Sequence, residues 1–415
     1  MIQRSYKYRL YPDEEQAVLL QKTFGCVRWI YNHLLDENNV LYKETGKGKI
    51  NTPAHFKKEY IWLKEVDSLA LCNAQINLQN AFSNFFRRLK DGAKEKGFPR
   101  FKSKKTSKKS YTTNNINDSI RIEDGKLRLP KLGLINTVFH RYCKGTIKSV
   151  TVSQNSSGHY YASILTEENI EPKTYVFSPD EKVEAIDMSF SECGIMSEET
   201  KNKFIRFYRL SEKKISKANK ELHRKVKGSK NRNKARIKLS KVHEKVKNQR
   251  NDFLNKLSYE LAEKFDVIVT EDINMQQLSR CLKNGKSVHD IAFGALRTML
   301  EYKLIERGKI LVKAPKYFPS TQLCSVCGYK NEALKDMSIR EYVCPSCGTF
   351  HNRDKNACAN LIAWYKSTRN IADATSVYAC GDDVRLHDSY DAIVCEAGKV
   401  GRQDLSSRSF QGAVC

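Results

Sequence analysis

The chain opens on alternation. Ile2, Tyr6, Tyr8 and Leu10 interleave with Gln3, Ser5, Lys7 and Arg9, a period of two that predicts a half-exposed strand with a basic face, ended by Pro12. Asp13 followed three residues later by Gln16 has the form of a helix capping box. Leu20, Phe24, Val27, Ile30, Tyr31 and Leu34 recur at helical spacing and predict one or two helices. Asp67 to Leu89 repeats that period through Leu71, Leu78, Phe82, Phe85 and Phe86. Gly97-Phe98-Pro99-Arg100-Phe101 breaks it, and Ser and Lys dominate through Ser110, which reads as a basic linker. From Ile120 to Thr166 the period is two again. Arg121 to Leu129 predicts a hairpin on the Asp124-Gly125 turn. Ile147–Val152 and Tyr160–Leu165 predict a second pair, turned at Ser156–His159. A run of short strands predicts a small barrel, which the N-terminal strand would complete with the helical stretch inserted.

A different pattern begins at Glu184-Ala185-Ile186-Asp187, an apolar strand that delivers an acid. Cys193–Met196 is expected to follow as an antiparallel strand and Phe204–Leu210 as a third. Lys213 to Arg250 predicts two antiparallel helices joined near Gly228–Asn231, on a thin seam of Leu222, Val226, Leu239, Val242 and Val246. Phe253–Phe265 reads as a further helix. It feeds the apolar run Val267–Thr270, which again ends on an acid, Glu271. Ile291–Ile305 predicts a helix and Ile310–Val312 a strand. Asp354 stands at the start of a helix through Ala357, Leu361 and Trp364. Residues 371–415, rich in Asp, Ser and Gly, read as a loosely held tail.

Charge changes the picture. With 73 Lys and Arg against 47 Asp and Glu, the 415 residues carry a formal +26. Such a balance calls for a polyanionic partner, most often nucleic acid. No apolar run approaches the roughly 18 residues of a membrane span. The N-terminus has no apolar h-region, so a cytoplasmic, nucleoid-associated protein is expected. Lys213–Arg250 holds sixteen cations against Glu221 and Glu244. Candidate nucleic-acid contacts there are Lys213, Lys214, Lys217, Arg224, Arg232 and Arg236. Arg87 and Arg88 at a helix end, Arg100, Lys102, Lys104 and Lys105 in the linker, and Arg4, Lys7 and Arg9 on the first strand join them.

Of thirteen cysteines, four fall in paired spacing. Cys324-x2-Cys327-x16-Cys344-x2-Cys347 fits a tetrahedral four-thiolate zinc site, structural because no coordination position stays open. Gly328 and Gly348 follow each pair and permit tight turns. His351 is superfluous to that set and reads as an ordinary loop histidine. Asp187, Glu271 and Asp354 are each, in isolation, a surface acid. Together in a cationic chain they suit two magnesium ions, which activate water and stabilise the leaving oxygen in phosphodiester hydrolysis. No HExxH or G-x-G-x-x-G appears, and Gly46-Lys47-Gly48-Lys49 lacks the Walker spacing.

At this point the layout resembles the TnpB family, transposon-encoded RNA-guided nucleases related to miniature type V CRISPR effectors. The resemblance rests on Arg9-Leu10-Tyr11-Pro12, Arg28-Trp29-Ile30-Tyr31-Asn32, Gly97-Phe98-Pro99-Arg100-Phe101 and Leu127-Arg128-Leu129-Pro130-Lys131-Leu132-Gly133. It rests most on Tyr317 to Gly328, which enters the first cysteine pair, and on Asn352-Arg353-Asp354-Lys355-Asn356-Ala357. The resemblance implies an α+β multidomain protein. A split OB-like wedge barrel (1–12 and 113–178) would carry an inserted helical recognition lobe (13–112). An RNase H-like RuvC domain (179–320 and 351–370, with the basic hairpin 211–250) would be interrupted by a zinc ribbon (321–350) that binds target nucleic acid. It implies Asp187, Glu271 and Asp354 as catalytic acids, a guide RNA from the transposon end, a double-stranded DNA target, and a monomeric ribonucleoprotein. The flanking motif would be read between Lys47 and Asn84, with Asn73, Gln75 and Asn77 as readers. Two departures from the family pattern, Met188-Ser189-Phe190 after Asp187 and Asn352 before Arg353, remove no carboxylate. An acid-less RNA-guided repressor and a CRISPR-associated effector are the alternatives.

Overall fold

The structure, a computed structural model, describes residues 1–171, 173–187, 194–195, 205–274, 285–336 and 338–374. They form two compact units, 1–171 and 173–374.

The first unit is one antiparallel sheet with helices packed on it. Its strands are β1 (Ile2–Tyr11), β2 (Lys109–Asn114), β3 (Arg121–Glu123), β4 (Lys126–Leu129), β5 (Gly133–Val138), β6 (Thr146–Gln154) and β7 (Tyr160–Glu168). They are hydrogen-bonded in the order β2-β6-β7-β1-β5-β4-β3. The N-terminal strand thus lies mid-sheet, between β7 and β5. Its alternation is observed: Tyr6, Tyr8 and Leu10 are buried while Ser5, Lys7 and Tyr11 are exposed. Asp124 and Gly125 both have positive φ, 47° and 71°, as a two-residue hairpin turn requires. The helices are α1 (Glu14–Thr45), α2 (Pro53–Phe56) and α3 (Ser68–Lys90). The capping box forms: Gln16 N donates to Asp13 Oδ1 at 2.8 Å and Asp13 N to Gln16 Oε1 at 3.2 Å. Gln16 Nε2 also donates to the carbonyls of Leu132 and Leu134, which pins the helix entry to β5. Leu20, Ile30 and Leu34 of α1, Leu71 and Leu78 of α3, and Tyr8, Val150 and Ile164 of the sheet share one core.

Of the one or two helices expected after Asp13, α1 is one, a single helix of 32 residues. One feature differs from the sequence pattern. β2 begins inside the stretch read as linker, because only Tyr111 and Thr113 point inward and the lysines around them mask the alternation.

The second unit has three layers. β8 (Val183–Asp187), β9 (Gly194–Ile195), β10 (Val267–Glu271) and β11 (Ile310–Ala314) form a sheet in the order β11-β10-β8-β9. β8, β10 and β11 are parallel and β9 is antiparallel to β8. The helices are α4 (Phe207–His223), α5 (Lys230–Lys264), α6 (Gly285–Ile291), α7 (Phe293–Ile305) and α8 (Arg353–Ala374). Side-chain parity assigns the faces. Ile186 and Ile268 pack with Leu254, Leu257 and Leu261 of α5 and Leu296, Leu300 and Leu304 of α7. Ala185, Val267 and Val269 pack with Cys358, Leu361 and Tyr365 of α8. Burial on both faces explains why these strands read as continuous apolar runs.

The basic tract is the expected hairpin, but its second arm does not stop at Arg250. It continues to Lys264 as one 35-residue helix, about 52 Å long at 1.5 Å per residue. Only its packing partners change along the way. Phe204–Leu210, expected as a strand, is corrected: from Phe207 it is the start of α4. Asp290 replaces a local cap there, accepting from the backbone N–H groups of Tyr208 (2.8 Å) and Arg209 (3.2 Å). Between α5 and α7, buried Lys303 donates to Asn255 O and Ser258 Oγ, both at 2.7 Å. Burial lowers its pKa to about 8. Met188–Phe190 and most of the 371–415 tail lie outside the described residues. Among the described residues no helix is long and apolar enough to cross a membrane.

Candidate active site and metal centre

Asp187 and Glu271 are the last residues of β8 and β10. The two strands are adjacent and parallel, with Ile186 paired to Thr270. One residue further, Asp187 and Glu271 stand side by side, with strands about 4.8 Å apart. Parity puts both on the face covered by α8, since Ala185 and Val269 already lie there.

Asp354 lies in the first turn of α8, the helix packed on that face. Tyr365 of α8 donates to Glu181 Oε1 at 2.8 Å, just before β8 begins. α8 therefore runs antiparallel to β8. From Tyr365 back to Asp354 the helix rises about 16 Å. From Glu181 to Asp187 the chain extends about 20 Å. Asp354 is also one turn from Cys358, which is fully buried against the sheet, so the two share a face. Asp187 and Glu271 thus end adjacent parallel strands, and Asp354 opens the helix packed on the face to which parity assigns them.

Their surroundings are polar and fixed. Asp187 is 6% exposed. Asp354 Oδ1 accepts from Arg340 Nη1 at 3.2 Å. The Arg340 carbonyl accepts from Arg353 N at 2.8 Å. The Arg353 guanidinium in turn holds the carbonyls of Asp336 and Ile339. Glu271 Oε1 accepts from Ser320 Oγ at 2.5 Å. Carboxylate oxygens such as these are hard donors of the kind magnesium prefers.

The four cysteines cluster as their spacing predicts, with all four sulfurs within 4.8 Å of one another. Cys324 Sγ to Cys347 Sγ is 3.7 Å, as is Cys327 Sγ to Cys344 Sγ. A tetrahedron with bonds of about 2.3 Å places thiolates about 3.8 Å apart, so the thiols fit zinc. The two knuckles repeat one geometry. Gly328 N donates to Cys324 O and Gly348 N to Cys344 O, both at 2.9 Å, with φ of 74° and 72° at the glycines. Thr349 hydrogen bonds lower the Cys347 pKa to about 6, and burial pushes Cys324 up to about 11. The antiparallel ribbon β12 (Glu341–Val343) and β13 (Phe350–Asn352) closes the lobe. His351 is not a loop residue. It lies on β13, 8% exposed, with Nε2 3.1 Å from Cys324 Sγ. A histidine three residues after a knuckle glycine on an alternating stretch was the available signal.

The candidate nucleic-acid contacts divide. Lys213, Lys214, Lys217, Arg224 and Arg236 are exposed on the hairpin, as are Arg87, Arg88, Arg100, Lys104 and Lys105 in the first unit. Lys7 and Arg9 lie over the Tyr161 ring, at 4.7 and 5.3 Å. Arg236 also donates to Asn233 Oδ1 at 2.9 Å, and three less exposed candidates have intramolecular partners. Arg4 pairs with Glu168. Lys102 sits 3.7 Å from the Tyr31 ring centroid, and burial lowers its pKa. Arg232 caps α4 by donating to the carbonyls of Leu222 and Lys225. Among the expected base readers, Asn73 is buried and bonded to Leu69 O, while Asn77 is exposed. Pattern reading missed Ser320 as a partner of Glu271 and Asn360 as a clamp on the knuckle segment, because neither breaks an apolar period.

Family models match three segments: a helix-turn-helix domain over residues 1–47, a probable transposase over 166–282, and a Cas12f1-like TNB domain over 293–361. A Streptomyces pristinaespiralis protein named as an RNA-guided DNA endonuclease is 34% identical over 403 residues, 92% of each chain. The Escherichia coli K12 protein InsQ, of the same description, is 27% identical over 92% of this chain and 95% of its own. A TnpB-like protein, L770 of Acanthamoeba polyphaga mimivirus, is 26% identical over 87% of this chain and 74% of its own. On this evidence the chain belongs to the TnpB family.

Proposed function

We propose that this chain is a transposon-associated RNA-guided DNA endonuclease whose phosphodiester hydrolysis depends on Asp187, Glu271 and Asp354. The observation that supports the reading is that Asp187 and Glu271 end adjacent parallel strands while Asp354 opens the helix packed on their sheet. Strand order β11-β10-β8-β9 with a single antiparallel strand is compatible with an RNase H-like RuvC domain. The seven-stranded sheet corresponds in this reading to the wedge, α1 to α3 to the recognition lobe, and 321–350 to a zinc ribbon that contacts target nucleic acid. Guide RNA and double-stranded DNA are the partners, and the exposed cations of α4 and α5 are their electrostatic footing. Asp187, Glu271 and Asp354 would hold two magnesium ions, and Cys324, Cys327, Cys344 and Cys347 one structural zinc. Bound magnesium supplies an activated water and a stabilised leaving oxygen. The acids would hold and orient those ions. The sheet and α8 fix the acids.

The test is cleavage of guide-matched plasmid by ribonucleoprotein carrying Asp187→Ala, Glu271→Ala or Asp354→Ala. Each should abolish cutting while guide RNA binding is retained, and the losses should be non-additive, as for residues acting as a unit. A variant that still cuts would refute the assignment and leave the RNA-guided repressor as the reading to pursue.

A further inference from the structure

Ser320 sits where three parts of the second unit meet. It is 2% exposed. Its Oγ donates to Glu271 Oε1 at 2.5 Å, and its carbonyl accepts from Asn360 Nδ2 of α8 at 2.7 Å. One serine therefore joins the end of β10 to the helix that begins with Asp354. The chain then enters the thiol cluster within four residues, at Cys324. That passage is clamped. Leu323 O accepts from Asn356 Nδ2 at 2.6 Å and from Asn360 Nδ2 at 2.7 Å, two amides one helical turn apart. Asn356 Oδ1 accepts from Ser325 N at 2.9 Å.

We propose that Ser320 is a positioning residue that orients the Glu271 carboxylate for metal, and that the cysteine knuckle sets the place of Ser320 through the Asn356–Asn360 clamp. A carboxylate at a strand end has free χ rotations. A hydroxyl donor on one oxygen selects the rotamer and leaves the other oxygen's lone pairs for an ion. Outer partners of this kind change metal affinity by about 10- to 100-fold when removed. The inference rests on the metal-binding role given to Glu271 above.

The experiment uses full-length protein with its guide RNA and reads Mn²⁺ binding by electron paramagnetic resonance alongside the Mg²⁺ dependence of cleavage. Ser320→Ala should weaken Mn²⁺ binding by about 10- to 100-fold and raise the half-saturating Mg²⁺ by the same factor. Cleavage should recover at high Mg²⁺, and zinc content should stay unchanged. Ser320→Thr, which keeps the hydroxyl, should restore both readouts. Asn360→Ala, which loosens the clamp, should weaken Mn²⁺ binding in wild type but add little on top of Ser320→Ala. Glu271→Gln is the reference. If it weakens Mn²⁺ binding and Ser320→Ala does not, the positioning role is overturned while the acids keep theirs. If Glu271→Gln leaves Mn²⁺ binding intact, the metal reading itself fails. Loss of cleavage in Ser320→Ala with unshifted half-saturation would mark a merely structural serine and also overturn the proposal.

Discussion

The sharpest electrostatic prediction concerns four side chains on α4 and the loop after it. Lys213, Lys214, Lys217 and Arg224 are exposed. Lys238, by contrast, bonds Glu221 at 2.8 Å, and Arg232 is spent on the α4 C-terminus. If the four face guide RNA, each neutralises one phosphate and releases its counterion. The slope of log affinity against log salt should then shrink by about 0.7 to 0.9 per contact. Replacing all four with Gln should lower the slope by about 3 to 4. Between 50 and 200 mM salt, the wild type would lose roughly 100-fold more affinity than the variant. Filter binding or anisotropy with labelled guide RNA across that range measures it. Lys238→Gln is the control, and its slope should change by less than one. A quadruple variant with the wild-type slope would refute the assignment of this face, even if its affinity fell.

Other expectations follow from the same structure. Cys344→Ser should release one zinc per chain, seen by native mass spectrometry, and strip hydrogen-exchange protection from residues 321–352, because site formation and folding are coupled; zinc retained by that variant would refute the four-thiolate centre. Lys303 has a folded pKa of about 8 against the ordinary 10.5, so between those values the unfolded chain binds more protons and stability rises with pH. Denaturant midpoints should climb from pH 8 to 10 in wild type, and climb less in Lys303→Met; equal pH slopes would refute it. Thr270 is 1% exposed and its Oγ1 has no hydrogen-bond partner among the described residues. Thr270→Val removes that unsatisfied group and should be neutral or stabilising by about 1 kcal/mol in a chemical melt; a loss of that size would contradict the count.

Legibility followed burial. Strands buried on both faces announced themselves as apolar runs, so Asp187 and Glu271 could be placed at strand ends before any coordinates. The same was true of the knuckles, where metal chemistry fixes the spacing. What failed was the half-polar. β2 hides two inward residues among lysines, and α5 passes from a polar seam to a buried face without a break. Long cationic side chains could not be sorted one by one, since charge is written in the sequence and partners are not. Arg4, Lys102 and Arg232 look like phosphate contacts in a list of cations, yet they meet Glu168, Tyr31 and the α4 carbonyls.

The same reasoning explains why the strand-end acids stood out and their hydrogen-bond partners did not. A carboxylate that closes an apolar strand contrasts with every residue before it. A serine or asparagine that holds it is ordinary at any position. Asn356 and Asn360 sit on a helix whose inward face is otherwise Ala357, Cys358, Leu361 and Tyr365, and each is itself nearly buried. Two buried amides on such a face are costly unless satisfied, and here backbone carbonyls of the knuckle segment satisfy them. Buried amides one turn apart, just after a strand-end acid's partner helix begins, are therefore a readable sign of a clamped segment. Helical spacing alone would have suggested it, had polar residues on the inward face been scored as well as apolar ones.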